Sequence, residues 1–324
     1  MARRAVHVAV LAYGGCMSSA VVGLLDAFHI ANRWIAWTGS DAPGFVTVVL
    51  GATRSVVGSA GFALPSVPLE HRRRVDLAIV PPMLADPEKT LAGNAALVAW
   101  LERYAERGGV VASVCAGAFF LARAGLLGGR RITMNPMFAP ALLREHPDVS
   151  LALDRRVVDE GRVLTAGTTT AFLDLAIHLV DRFAGHAVAV ATAKALSIDK
   201  NRQSQLPYFL PFAEKSHGDG AVVVLQTWIE ERFAEAISSE ELARRAALSQ
   251  RSLNRRFLAS TGLTPIGYLH RVRVEAAKRL LETSDLNVQE ITTRVGYEDA
   301  RSFTRLFRLH VGLTPRAYRT RFGA

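Results

Sequence analysis

Two stretches carry residues placed for chemistry. The first is Ser113-Val114-Cys115-Ala116-Gly117, where a cysteine closes a continuous apolar run and an apolar helical stretch, 118–124, follows. Strand, cysteine, small residue, glycine and helix have the form of a nucleophile elbow. In that turn the side chain projects over a sheet, and the next backbone amides face it from a helix N-terminus. Such a setting lowers a thiol's pKa and offers an anion site, so taken alone it points to a cysteine enzyme.

The second stretch is written twice. Leu253-Asn254-Arg255-Arg256-Phe257 is followed by Gly262-Leu263-Thr264-Pro265, and fifty residues later Phe303-Thr304-Arg305-Leu306-Phe307 is followed by Gly312-Leu313-Thr314-Pro315. Upstream of each copy stand a short amphipathic helix and a tight turn. In the first copy Ser238 or Ser239 caps a helix through Ala246, with Glu240 and Glu241 in the first turn, where the helix dipole favours carboxylates. Ala247-Leu248-Ser249 then turns the chain, and Ser249 caps the next helix. In the second copy the helix runs from about Val288 to Val295, Gly296-Tyr297 makes the corner, and the next helix starts near Glu298 or Asp299. This is helix-turn-helix spacing, twice.

Helical periodicity puts Leu253, Phe257 and Leu258 on one stripe, and Phe303, Leu306, Phe307 and Val311 on its counterpart. Arg251, Ser252, Asn254 and Arg255 then face outward in the first copy, and Arg301, Ser302, Thr304 and Arg305 in the second. Arginine can make paired bonds to guanine, asparagine to adenine, and serine or threonine to bases or phosphates. A solvated arginine face would look the same on one helix; duplication and turn spacing are two independent signals that point to DNA. Between the copies, 266–281 has no breaker after Gly267 and reads as one connecting helix about 24 Å long.

The segment 221–324 resembles the AraC/XylS DNA-binding domain over essentially its whole length. The likeness includes Tyr268, Leu269, Arg273 and Val274 on the connector and the closing run Gly312 to Arg319. It implies double-stranded DNA as the partner, with Arg251, Ser252, Asn254 and Arg255 of the first copy and Arg301, Ser302 and Arg305 of the second as the base-facing residues.

Composition agrees. The chain has 324 residues, enough for two or three domains, and half of them are hydrophobic, which excludes disorder as the main state. Net charge is +10; from residue 221 onward 17 Lys and Arg face 11 Asp and Glu, so +6 falls in the DNA-reading segment. A basic domain suits phosphate contacts. Two cysteines, Cys16 and Cys115, make neither a disulfide framework nor a zinc site. The apolar run from Ala5 to Tyr13 is short, interrupted by His7 and followed by Gly14-Gly15, so it reads as a core strand rather than an export signal. No run of 18 apolar residues exists, so no membrane span is expected; neither a metal nor a cofactor is expected, and the expected location is the cytoplasm.

Ahead of the DNA-reading segment, strands and helices alternate. Val6 to Tyr13, Phe45 to Leu50, Val75 to Val80 and Val110 to Val114 read as strands; Ala20 to Trp34, Asn94 to Arg107, Ala118 to Ala124 and Thr169 to Phe183 read as helices. The alternation predicts an α/β layer fold with a mostly parallel, flavodoxin-like sheet. Its sites lie at the carboxyl ends of strands, here Gly14-Gly15-Cys16, Pro81-Pro82-Met83 and the Cys115 turn. Three divisions are expected: 1–200, a linker over 201–220 with an apolar patch Tyr208 to Phe212, and 221–324. The last opens with a helix bearing Val224, Leu225, Trp228, Ile229 and Phe233.

Residues from about 5 to 200 resemble the class I glutamine amidotransferase-like superfamily that includes the PfpI-type proteases and isocyanide hydratases, most specifically over Ser113 to Arg131. Catalytic members need a histidine soon after that segment and an acidic residue near the first strand's end. Here the histidine's place falls on Asn135, and the acid's place near Ala20, in a stretch without a carboxylate. An amide does not titrate near neutral pH. His7, His29, His71, His146, His178 and His186 stand elsewhere, and His178 reads as a packed core residue.

The combination resembles the GlxA group of bacterial transcription regulators. It implies a DNA-binding regulator, an activator by that likeness, with a catalytically silent first domain that binds a small effector or dimerises. Cys16, Pro82, Cys115, Ala116, Gly117 and Asn135 outline the expected effector pocket. A homodimer and, for an activator, RNA polymerase are the further partners expected. The rival reading is a hydrolase or hydratase acting through Cys115, fused to a DNA-binding domain.

Overall fold

The uninterrupted apolar runs become central strands because both of their faces are covered. In the computed structural model β1 (Val6–Leu11) pairs in parallel with β2 (Phe45–Gly51), Val6 opposite Phe45 through Leu11 opposite Leu50. The sheet is completed by β3 (Val67–Pro68), β4 (Leu77–Val80), β5 (Val110–Val114), β6 (Val157–Asp159) and β7 (Val163–Ala166), in the order β6-β7-β5-β4-β1-β2-β3. Every pair is parallel except β6 with β7. All four residues of β4 are fully buried.

The model describes residues 4–70, 74–199, 204–208, 215 and 218–323, in two units that divide between Gln205 and Leu206. Met1 to Arg3, His71 and most of the expected linker, including most of the patch Tyr208 to Phe212, lie outside the described residues.

In the first unit α1 (Ser18–Thr38) buries Ala20, Val21, Leu24, Ala27, Phe28 and Ala31 along one stripe and ends at Gly39, whose φ of 62° lies in the left-handed region. It packs with α4 (Phe172–Ala184) and α5 (His186–Ala195). A second group is α2 (Ala95–Glu106) with α3 (Ala118–Arg123). The helix expected from Thr169 begins at Phe172, after a single tight turn over Thr169–Ala171. Short pieces without a long apolar run were not expected from the sequence: the hairpin Ser55–Val57 with Ala63–Pro65, the pair Arg131–Ile132 with Ser150–Leu151, the edge strands β3 and β6, and β7 beside β6. His178 is not in the core. Its Nε2 lies 2.9 Å from Asp159 Oδ2 at the sheet edge, where Arg182 also reaches that carboxylate.

The second unit is helical: α6 (Gly220–Arg232), α7 (Ser239–Arg245), α8 (Gln250–Thr261), α9 (Pro265–Thr283), α10 (Val288–Arg294), α11 (Ala300–Val311) and α12 (Pro315–Phe322). It has two cores. Leu225, Ile229, Leu242, Leu253, Phe257 and Tyr268 form one; Ala277, Leu281, Ile291, Phe303, Phe307 and Tyr318 form the other. The connector α9 feeds both, and its 19 residues make it about 28 Å long. Of the apolar residues on α6, Val224 is 71% exposed, while Val222, Leu225 and Ile229 are buried.

Candidate DNA interface and cysteine pocket

The two halves of the helical unit are built alike at the level of atoms. Ser238 caps α7 by accepting the Glu241 N–H at 3.1 Å, and Ser249 caps α8 by accepting the Ser252 N–H at 3.2 Å. Asn287 and Glu290 close a reciprocal capping box on α10, and Asp299 accepts the Arg301 and Ser302 amides at 3.1 and 2.7 Å to start α11. Each second helix ends on a left-handed glycine, Gly262 (φ 72°) or Gly312 (φ 76°). Each following helix is capped by a threonine before a proline, Thr264 or Thr314. Phe257 meets Tyr268 edge-on at 5.5 Å, and Phe307 meets Tyr318 at 5.7 Å. The tyrosine hydroxyls then bond Glu230 and Glu282.

The corners differ. After the end of α10, Gly296 takes φ 83°, and a Cβ there would stand 2.7 Å from Ala234 O. At the matching place after α7 stands Ala247, with φ 51°, a conformation that a Cβ resists.

On the outward faces Arg251, Asn254 and Arg255 are exposed in the first copy, and Arg301, Ser302 and Arg305 in the second. Two of the expected residues sit differently. Ser252 is half-buried and its hydroxyl accepts from Ser249 Oγ at 3.0 Å, and Thr304 is half-buried as well. Leu258, expected inside, is 51% exposed, because it lies one residue past the Phe257 stripe. Arg273 joins the halves. Its guanidinium donates to Phe233 O and Glu235 O, both at 2.8 Å, beyond the end of α6, and lies 4.9 Å from the Tyr297 ring at the second corner.

In the first unit the chain leaves β5 through Cys115, whose φ of 57° is left-handed, and a tight turn over Cys115–Gly117 leads into α3. A side-chain-bearing residue in that region costs of order 1–3 kcal/mol and is held by its surroundings. Gly117 has ordinary helical angles; it must be glycine because a Cβ would lie 2.7 Å from Pro81 O.

The expected lowering of the thiol's pKa is not what this elbow does. Cys115 is 2% exposed, and burial pushes its thiol up, against a smaller lowering effect of the Ala116 backbone and the Asn135 and Thr169 side chains beside it. Among the described residues no histidine or carboxylate is one of the groups that shift this thiol. Asn135 Oδ1 accepts the Met137 N–H at 3.0 Å.

Cys16 is fully buried, and burial raises its thiol as well. Tyr13 lies within electrostatic reach of both thiols, and burial raises its hydroxyl first and the two thiols further. That hydroxyl donates to Pro81 O at 2.6 Å, and Pro82 O accepts the Met17 N–H at 2.8 Å. Sequence alone did not single out Tyr13 or Thr169; their only signal was position at a strand's carboxyl end and at a helix start. Tyr13 also lines an open cleft of about 520 Å³ with Gly14, Thr53, Lys89, Thr90 and Asn94.

This fold and this elbow match a family model described as the DJ-1/PfpI family over residues 20–182. The chain belongs to the DJ-1/PfpI family. A second model, described as a helix-turn-helix domain, matches residues 242–321, and the helical unit is of the AraC type. Across both units the chain is similar to the HTH-type transcriptional regulator CdhR of Pseudomonas aeruginosa, 28% identical over 91% of this chain and 85% of that protein. It is similar to the HTH-type transcriptional activator RhaS of Escherichia fergusonii, 45% identical over 29% of this chain and 34% of that protein. The chain thus spans about a third of RhaS. The DJ-1/PfpI domain shares its fold with Drosophila melanogaster DJ-1beta, with a TM-score of 0.51 and 20% identity over 60% of this chain and 99% of that one. No helix among the described residues is long and apolar enough to cross a membrane, and no group of three or more His, Cys, Asp or Glu there could hold a metal ion.

Proposed function

We propose that the protein is a sequence-specific DNA-binding transcriptional regulator whose DJ-1/PfpI domain binds a small effector without chemistry. The observation that carries this is the repeat: α8 and α11 hold Arg255 and Arg305 at matching outward places, on helices with matching caps, glycine ends and aromatic locks. A merely solvated face would not need such duplication of its support. The relatives named as transcriptional regulators, one of them matching along both units, favour the same reading.

In this reading Arg251, Asn254, Arg255, Arg301 and Arg305 reach base edges or phosphates, and Ser252, Ser302 and Thr304 stand beside them. Activation, the homodimer and contact with RNA polymerase belong to the same proposal, as does a cytoplasmic location. Cys115 binds rather than attacks, since its sulfur faces an amide N–H, an asparagine and a threonine, none of which can shuttle a proton near neutral pH. Cys16, Pro82, Ala116, Gly117 and Asn135 are the further residues of this proposed effector site.

The test is selection of bound duplexes from a random pool by the full chain, repeated with Arg255 and Arg305 both changed to alanine. The reading expects a recurrent motif with the parent chain and its loss with the double variant. Enrichment of no motif by the parent chain would sink it.

A further inference from the structure

Gln205, the last residue of the first unit, has a side chain that is wholly buried. Its Nε2 lies 2.8 Å from Leu153 O, 3.1 Å from Thr133 Oγ1 and 3.3 Å from Met134 O, and its Oε1 accepts the Thr168 N–H at 2.9 Å. The Thr133 hydroxyl spends its own hydrogen on Arg155 O at 2.7 Å, so it can only accept from Gln205. Three acceptors round the NH2 and one donor at the oxygen are the complement of a primary carboxamide. A carboxylate of the same shape has no hydrogen to give and would face two carbonyls and a lone pair. Gly167 completes the cradle, since a Cβ there would lie 1.7 Å from Gln205 Oε1. The main chain holds this residue more weakly, through a single long bond from Gln205 N to Asp154 O at 3.3 Å.

The walls of the hole are the neighbours of the cysteine pocket. Met134 and Thr168 immediately precede Asn135 and Thr169, the two side chains near enough to Cys115 to lower its thiol. The residue after Gln205 is the first of the DNA-binding unit.

We propose that this hole is a primary-carboxamide site that the chain fills with its own Gln205, a latch that fastens the residue leading into the DNA-binding unit to the backbone beside the cysteine pocket. A molecule that shifts Asn135 or Thr169 shifts Met134 O or the Thr168 N–H with it, and so changes the hold on Gln205. This coupling, though not the carboxamide site itself, rests on the reading of the Cys115 pocket as an effector site.

The experiment is chemical rescue in the full chain. Gln205→Ala removes a group the size of acetamide, and its first-unit transition should melt about 5 °C below that of the parent chain. Acetamide at high millimolar concentration should raise the variant's transition and leave the parent chain unmoved, while acetate should do neither. Failure of acetamide to rescue, or an equal rise in the parent chain, overturns the carboxamide site. Gln205→Glu gives an independent arm: a stability equal to the parent chain's at mildly alkaline pH also overturns it. DNA affinity is read on the same samples. A several-fold change in Gln205→Ala that acetamide reverses supports the latch, and rescue of stability with DNA affinity unmoved overturns the coupling. Failure of the effector reading alone shows elsewhere, as an effector response indifferent to Asn135→Ala.

Discussion

Arg256 holds Asp219 at two points, Nε to Oδ2 at 2.5 Å and Nη2 to Oδ1 at 2.8 Å, and Asp219 in turn caps α6 by accepting the Val222 N–H. Its neighbour Arg255 is exposed and makes no hydrogen bond or ion pair among the described residues. Two adjacent arginines on one helix therefore have different work: one ties α8 to the start of α6, and the other is free for DNA.

Arg255→Ala and Arg305→Ala should each weaken binding to the specific site by about 1–3 kcal/mol and binding to random duplex by less. Arg256→Ala should lower the melting temperature of the helical unit while leaving its sequence preference intact. Fluorescence anisotropy with specific and random duplexes decides this. An equal loss on both DNAs for Arg255→Ala would make it a phosphate contact.

The two corners should respond in opposite directions to the same kind of exchange. Ala247→Gly relieves a left-handed alanine and should stabilise the helical unit by up to ~1 kcal/mol, reduced by the added freedom of the unfolded chain. Gly296→Ala sets a Cβ against Ala234 O and should destabilise it by about 1–3 kcal/mol or more. Urea unfolding of the two variants gives both numbers, and a destabilised Ala247→Gly would show that the first corner is not strained.

These corners also show what the sequence could tell. Gly296 was legible as a corner because glycine is what a left-handed position favours, whereas Ala247 was found only through the spacing of its flanking caps. The recognition helices were legible because Phe257, Phe303 and Phe307 recur at helical period between caps and terminal glycines. Leu258 and Thr304 were misplaced because they lie at the margins of the apolar stripe, where tertiary packing decides. In the first unit, apolar runs gave β1, β2, β4 and β5, while β3 and β6, of two and three residues, are too short for periodicity to register, and β7 is a four-residue run between Arg162 and Gly167 that includes Thr165. The elbow at Cys115 could be read, but the depth of its burial could not, and burial reverses the direction of the thiol's shift. Gln205 stood in an expected linker; its partners are three backbone groups and a threonine hydroxyl 37 to 72 residues away, which no local pattern reveals.

The raised thiol makes Cys115 a poor nucleophile at neutral pH. Alkylation by iodoacetamide, followed by peptide mapping to separate it from Cys16, should run at least ~10-fold slower than for a free thiol and accelerate as the pH rises. Rapid labelling of Cys115 at neutral pH would mean that a base reaches the sulfur and would revive the enzymatic reading.

His270 supplies a dependence on pH in the helical unit. Its Nδ1 lies 2.8 Å from the Tyr297 hydroxyl, and burial first, then Arg273 and His310, lower its pKa. A histidine depressed in the folded state binds its proton more readily when unfolded. The stability it allows is therefore complete above the ordinary histidine value and is lost as the pH falls through and below it. Unfolding followed from about pH 8 to about pH 5 should show a decline in the stability of this unit, smaller in His270→Gln. A slope unchanged by that substitution would place the titration elsewhere.

The central claim is that one chain reads DNA with two helices, and the footprint of the full chain on a selected duplex tests it most directly. Hydroxyl-radical protection should show, for each protomer, two short boxes on one face of the duplex with centres about one helical turn, roughly 10 base pairs, apart. Loss of Arg255 should open one box and loss of Arg305 the other. A single short protected box per protomer, or two boxes that open together whichever arginine is removed, would contradict it.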